Sequence, residues 1–132
     1  MPKIGNSPID ILNRAARDVG IVKSWIIQQA LVTKSVDIEA SQTGTAIWTP
    51  ASGKKFVITD IILSTSAAGL IIVFDGTDDA ANRVLKISSD GDGWGLTKAY
   101  IKPRISAVAD NVLKYTTGTV VAGYLTVHGY EV

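Results

Sequence analysis

Residues 55–76, KFVITDIILSTSAAGLIIVFDG, constrain the fold most, because they read as two consecutive strands joined by a turn of small residues. Residues 56–63 are rich in β-branched and aromatic side chains, which suit a pleated, half-buried surface. Strict alternation puts Phe56, Ile58 and Ile62 on one face with Asp60, and Val57, Thr59, Ile61 and Leu63 on the other. Ser64 to Gly69 is turn material, and residues 70–74 form a second apolar run of strand length that Asp75-Gly76 ends. Thr59, Asp60 and the serines interrupt the stretch, so it lacks the ~18 apolar residues that a membrane span requires. No membrane partner is expected.

The rest of the chain carries the same strand-and-turn signature. Residues 46–49 read as a short strand, followed by a turn at Pro50-Ala51-Ser52-Gly53. Residues 83–88, 94–102, 111–117 and 120–132 read as further strands; Pro103 closes the second of these or marks a sheet edge. In the last one, Val121, Leu125 and Val127 alternate with Tyr124, Thr126, His128 and Tyr130, with Gly123 and Gly129 on the apolar side. Residues 24–39 read as a strand, with a helix through Trp25 to Leu31 as the rival. About eight short strands at near-regular spacing imply an all-β protein, a jelly-roll-like β-sandwich in the first instance. An up-and-down barrel and an immunoglobulin-like sandwich stay open.

The N-terminal end differs. Ser7 as N-cap, Pro8 at the first helical position and an Asp10–Arg14 pair mark a helix over residues 8–19, with Gly20 as its C-cap. Ile9, Leu12, Ala16 and Val19 share one face. A helix this short needs a docking surface, on its own domain or on a partner. The chain therefore divides into an N-terminal arm, residues 1–39, holding that helix and the first strand, and a sandwich domain, residues 40–132. Within the arm, Ile9, Leu12, Ala16, Val19 and Trp25 are candidate partner contacts, joined by Tyr124 and Tyr130 on the last strand of the sandwich.

A chain of 132 residues fits one ordinary domain and buries roughly two-thirds of its unfolded surface without a staple. It has no cysteine, which removes disulfides and thiolate metal sites. Its net charge of +1 makes no electrostatic case for nucleic acid, and its N-terminal residues lack the pattern of a secretory signal.

Candidates for chemistry are few. Asp75, Asp78 and Asp79, and separately Asp90 and Asp92, offer carboxylates to calcium, but the same residues make tight turns, and no acidic residue closes a calcium loop. His128 is the single histidine; on a strand that alternates with Tyr124 and Tyr130 it reads as a surface or interface residue. No nucleophile elbow, phosphate loop or dinucleotide fingerprint is present. The expectation is a protein that is not an enzyme and needs no cofactor or metal. Trp48 and Trp94 would be the platform of a sugar-binding sandwich if exposed, and core or subunit-interface residues if not.

The closing segment 120–132, VVAGYLTVHGYEV, resembles the last strand of small tailed-bacteriophage virion proteins with β-sandwich folds, which end in alternating apolar residues and a Gly-Tyr pair, here Gly129-Tyr130. FVITDIILS at 56–64, LIIVFDGTD at 70–78 and DNVLKYTTG at 110–118 are similar to the upstream pattern, so the resemblance spans about residues 55–132. Its motifs are strand and turn patterns, with no ligand residues to transfer. The resemblance implies a structural role in a virion: a capsid decoration (cement) protein, or a head-fibre, neck or tail component. It also implies a homotrimer that contacts the major capsid protein or another virion protein. A carbohydrate- or receptor-binding module is the reading from another class.

Overall fold

The computed structural model describes residues 31–90, 93–119 and 121–132. The predicted helix over 8–19, the strand-or-helix question at 24–30, and the candidate contacts Ile9, Leu12, Ala16, Val19 and Trp25 lie outside the described residues.

Among the described residues, eight strands follow in order: β1 (Val32–Ile38), β2 (Thr45–Trp48), β3 (Phe56–Thr65), β4 (Gly69–Asp75), β5 (Arg83–Ser89), β6 (Trp94–Ile105), β7 (Leu113–Thr117) and β8 (Gly123–Glu131). They form two antiparallel four-stranded sheets, ordered β1-β8-β3-β6 and β2-β7-β4-β5. The ladders β1/β8, β2/β7, β3/β6 and β4/β5 are nested. This is the pattern of one long ribbon folded in half between β4 and β5, then rolled so that β3 also meets β8 and β4 meets β7. Rolling a ribbon this way builds a jelly-roll sandwich. An up-and-down barrel would pair each strand with its sequence neighbour, and here only β4 and β5 do so. The first strand, which the sequence attaches to the arm, pairs along its whole length with β8 and forms one edge of the first sheet.

The core lies between the sheets. From the first sheet come Ile38, Phe56, Ile58, Ile61, Leu63, Leu125 and Val127; from the second, Ile47, Trp48, Ile71, Val73, Leu113 and Tyr115. Each such aliphatic side chain removed from water contributes roughly 1.5–3 kcal/mol. Trp48 is buried with its ring 5.7 Å from that of Phe56, and its Nε1 donates to Glu131 Oε1 at 2.9 Å. Glu131 Oε2 accepts from the Ala51 backbone N at 3.1 Å, so one carboxylate satisfies the indole and ties the β2–β3 turn to the end of β8.

Strict alternation fails in β3. The register runs from Ile58 opposite Gly129 directly to Asp60 opposite His128, so Thr59 is an extra residue, a β-bulge. Its Oγ1 donates to the His128 carbonyl at 3.1 Å. One inserted residue reverses the faces on either side of it. Phe56 and Ile58 therefore share the core with Ile61 and Leu63, whereas Ile62 turns outward and is 43 % exposed. This corrects the grouping of Ile62 with Phe56 and Ile58.

Two buried or half-buried phenols link the fold to pH. Tyr115 Oη donates to the Asp37 carbonyl at 3.2 Å, and Tyr100 Oη to the Val84 carbonyl at 3.4 Å. Burial raises both phenol pKa values above 10.0, although nearby Arg104 works against this at Tyr100. The folded state thus holds these protons to higher pH than the unfolded chain does. Their contribution is complete below the ordinary phenol pKa and is lost as pH rises through the raised value. The urea midpoint is expected to fall once pH passes about 10, and Tyr115→Phe is expected to fall less steeply. Equal slopes for the two proteins would show that Tyr115 is not the group responsible.

Candidate interaction face on the first sheet

The outward side of β1-β8-β3-β6 is assembled rung by rung from residues paired across the ladders, which share a face. The rungs are Asp37–Tyr124–Ser64–Gly95, Ser35–Thr126–Ile62–Thr97, Thr33–His128–Asp60–Ala99 and, beyond the bulge, Tyr130–Val57–Ile105. Serine, threonine, glycine and alanine keep this surface low. Tyr124, Ile62 and Ile105 stand out from it, at 65 %, 43 % and 56 % exposure. No lysine or arginine lies on these rungs, and Asp60 is engaged by His128, whose Nδ1 is 2.5 Å from Asp60 Oδ1. Of the two carboxylates on the four rungs, Asp37 is the one whose side chain has no partner among the described residues. A broad, nearly uncharged surface with exposed aliphatic and aromatic side chains is suited to contact with another macromolecule.

Two of the sequence-derived contact residues lie here, both on β8: Tyr124 is exposed, and Tyr130 is half-buried beside Val57. Alternation along β8 was enough to place them. Ile62 was missed because the bulge at Thr59 redirects it. Ile105 was missed because its orientation depends on where β6 rejoins β3.

That rejoining makes the second feature of the face. β6 pairs Ala99 with Asp60 and then Arg104 with Ile58, so Tyr100, Ile101, Lys102 and Pro103 stand opposite Thr59 alone. The extra length forces the chain outward, and Ile101 reaches 107 % exposure. Pro103 sits in this excursion on an edge strand, where its missing N–H breaks no ladder between strands. β6 continues past it to Ile105, so of the two expectations for Pro103 the edge marker is the one observed.

The other candidates are occupied structurally. Asp75 is buried at the end of β4; it accepts from Ser106 Oγ at 2.9 Å, Asn111 Nδ2 at 2.9 Å and the Ala107 N at 2.7 Å. Asp78 pairs with Arg83 Nε at 2.9 Å. Asp79 accepts from the Ala81 and Asn82 backbone N atoms, both at 3.0 Å, as a turn residue does. Among the described residues no group of three or more acidic or histidine side chains is arranged to hold a metal. Asp92 lies outside the described residues. His128 faces outward, about one-third exposed, rather than into the sandwich. Trp48 is buried and Trp94 packs against the core, so these two indoles form no flat sugar platform.

No known family's sequence profile matches the chain, and no curated protein matches it. Among solved structures, a chain of the virus-like particle of extra small virus from the giant freshwater prawn Macrobrachium rosenbergii is similar over 75 % of this chain and 77 % of that one, with 13 % identity and a TM-score of 0.33.

Proposed function

We propose that this protein is a non-enzymatic structural component of a virus particle, and within that role a capsid decoration protein on the outside of a tailed phage. The observation that carries the reading is the outward face of the first sheet, where Tyr124, Ile62 and Ile105 stand exposed among small uncharged residues. A jelly roll hosts several unrelated activities, so the fold alone assigns none of them. The surface favours binding over catalysis: the single histidine pairs outward with Asp60, and the carboxylates in the β4–β5 connection are engaged in turns. The strand and turn resemblance over residues 55–132 adds the phage context. In this reading the major capsid protein is the partner, the protein acts as a homotrimer, and the arm reaches a neighbour.

A place in the neck, tail or head fibre is the nearest alternative. The exposed Tyr124 also keeps a receptor- or carbohydrate-binding role in view.

Copy number separates these readings. Quantitative mass spectrometry of purified particles, referenced to the main shell protein, is expected to find this chain in numbers comparable to the shell subunits. A handful per particle would place it in a neck, tail or fibre. Its absence would remove the virion role. In the same particles, removing residues 1–23 is expected to abolish attachment while leaving a folded sandwich; attachment that survives would mean the arm is not the anchor.

A further inference from the structure

We propose that Ile101 and Lys102 of one copy dock on Tyr124, Asp37 and Glu39 of a second copy, so that the chain assembles head to tail. The inference rests on reading the outward face of the first sheet as a contact surface, and it does not require the particle to be a phage.

The argument starts from how the described carboxylates are used. Asp60, Asp75, Asp78, Asp79, Asp110 and Glu131 each have a hydrogen-bond donor. Asp37, Glu39 and Asp90 have no hydrogen-bond or ion-pair partner for their side chains among the described residues. Two of these three lie together, exposed, at the end of the β1 edge. Tyr124 is directly opposite Asp37 in the β1/β8 ladder and is 65 % exposed. The result is an exposed aromatic ring beside two carboxylates that have no partner among the described residues.

The other edge of the same sheet carries the complement. Residues Trp94–Ile105 hold Lys98, Lys102 and Arg104 and no acidic residue. Lys98 is engaged: its Nζ lies 5.0 Å from the centre of the Tyr100 ring and donates to the Val84 carbonyl at 3.5 Å. Arg104 donates to the Ala81 carbonyl at 3.4 Å. Lys102 is left without a partner among the described residues, next to the most exposed apolar side chain, Ile101. An aliphatic tip beside an ammonium group matches an aromatic patch beside carboxylates in both polarity and sign.

The two halves cannot meet within one molecule. β1 and β6 are the outer strands of the sheet, with β8 and β3 between them, a separation of roughly 14 Å at normal strand spacing. Nor does the contact extend the ladder, because the four-residue excursion in β6 removes a regular edge for strand addition. What remains is a side-chain knob meeting a patch on a different surface of the next copy. Such a heterologous contact propagates and closes into a ring when the rotation between copies permits.

Sedimentation velocity of the full chain tests this. The wild-type protein is expected to sediment as a multiple of 14.0 kDa. Its association should weaken as salt shortens the reach of the charges. Ile101→Asp, Lys102→Glu and the pair Asp37→Lys with Glu39→Lys are each expected to weaken association about tenfold or more. Combining Lys102→Glu with Asp37→Lys and Glu39→Lys in one chain reverses both partners and is expected to restore it. All these positions are exposed, and unchanged thermal unfolding verifies that the variants fold. A wild-type chain that stays at 14.0 kDa at every concentration overturns the proposal, as does a failure of the triple variant to recover. Wild-type protein that stays monomeric but co-sediments with phosphatidylserine vesicles also overturns it and reassigns Ile101 and Lys102 to a lipid surface. A monomer found in purified particles would refute this contact and leave the structural role standing.

Discussion

Gly129→Ala is expected to remove most of the stability of the domain, about 4 kcal/mol or more. A Cβ at this position would overlap the Val57 carbonyl oxygen, with Val57 C at 2.9 Å and Trp48 Cη2 at 3.1 Å. The obstructing group is backbone, in the central strand that pairs with β8 on one side and β6 on the other. It cannot swing away as a side chain would. Either β8 separates from β3 beside the Thr59 bulge, or the Trp48 ring leaves its place over Phe56; both disrupt the core. Gly118→Ala is the matched control: its Cβ would come no nearer than 3.7 Å to another atom, an ordinary contact, and a change within about 1 kcal/mol is expected. Urea unfolding of the two variants measures the difference. If Gly129→Ala unfolds within 1 kcal/mol of the wild type, the close approach of β3 and β8 is not as described. The result also bears on the Gly129-Tyr130 pair seen in the sequence. Glycine is there for the approach of a neighbouring backbone, and the tyrosine beside it faces outward.

Asp75→Ala comes next, with an expected loss of about 3 kcal/mol. The wild-type carboxylate is buried and receives three hydrogen bonds, from Ser106, Ala107 and Asn111. Truncation leaves those donors facing a void in which water replaces the oxygens poorly. The effect should concentrate in the connection between β6 and β7, which Asp75 ties to the end of β4. Asp75→Asn keeps one oxygen but turns an amide donor toward existing donors, so about 2 kcal/mol of loss is expected. Hydrogen exchange adds a local readout: the amide of Ala107, which donates to Asp75 Oδ2, should exchange much faster in the alanine variant. Unchanged protection there would mean that the loop is held by its other bonds, from Ser106 N to Phe56 O and from Asp110 N to Lys54 O.

These two residues show where sequence reading succeeds and where it stops. In the sequence Asp75 is the polar end of an apolar strand and reads as a turn or metal residue. Its actual partners are about thirty residues further along the chain and come together only through the fold. Trp48 was visible as an aromatic residue, but its burial depends on Glu131, the carboxylate that completes its hydrogen bonding. On the candidate face, Tyr124 was legible and Ile101 was not. Tyr124 follows from alternation along one uninterrupted strand. Ile101 stands out because four residues of β6 pass one residue of β3, a relation between two strands that neither strand carries alone.

The amino-acid sequence by itself determined the all-β class and the position of each described strand, because alternating apolar residues and Gly, Asp and Ser turns are local signals with a period of two. It also determined the outward set on β8, since no irregularity lies within that strand. Only the tertiary structure decided which strands are neighbours, where the alternation resets at Thr59, and hence which exposed side chains share a face. The physical reason is that register is a property of pairs of strands. One inserted residue exchanges the two faces at almost no local cost, and the choice between registers is made by the partner's hydrogen bonds and by the core that forms when two distant segments of the chain meet.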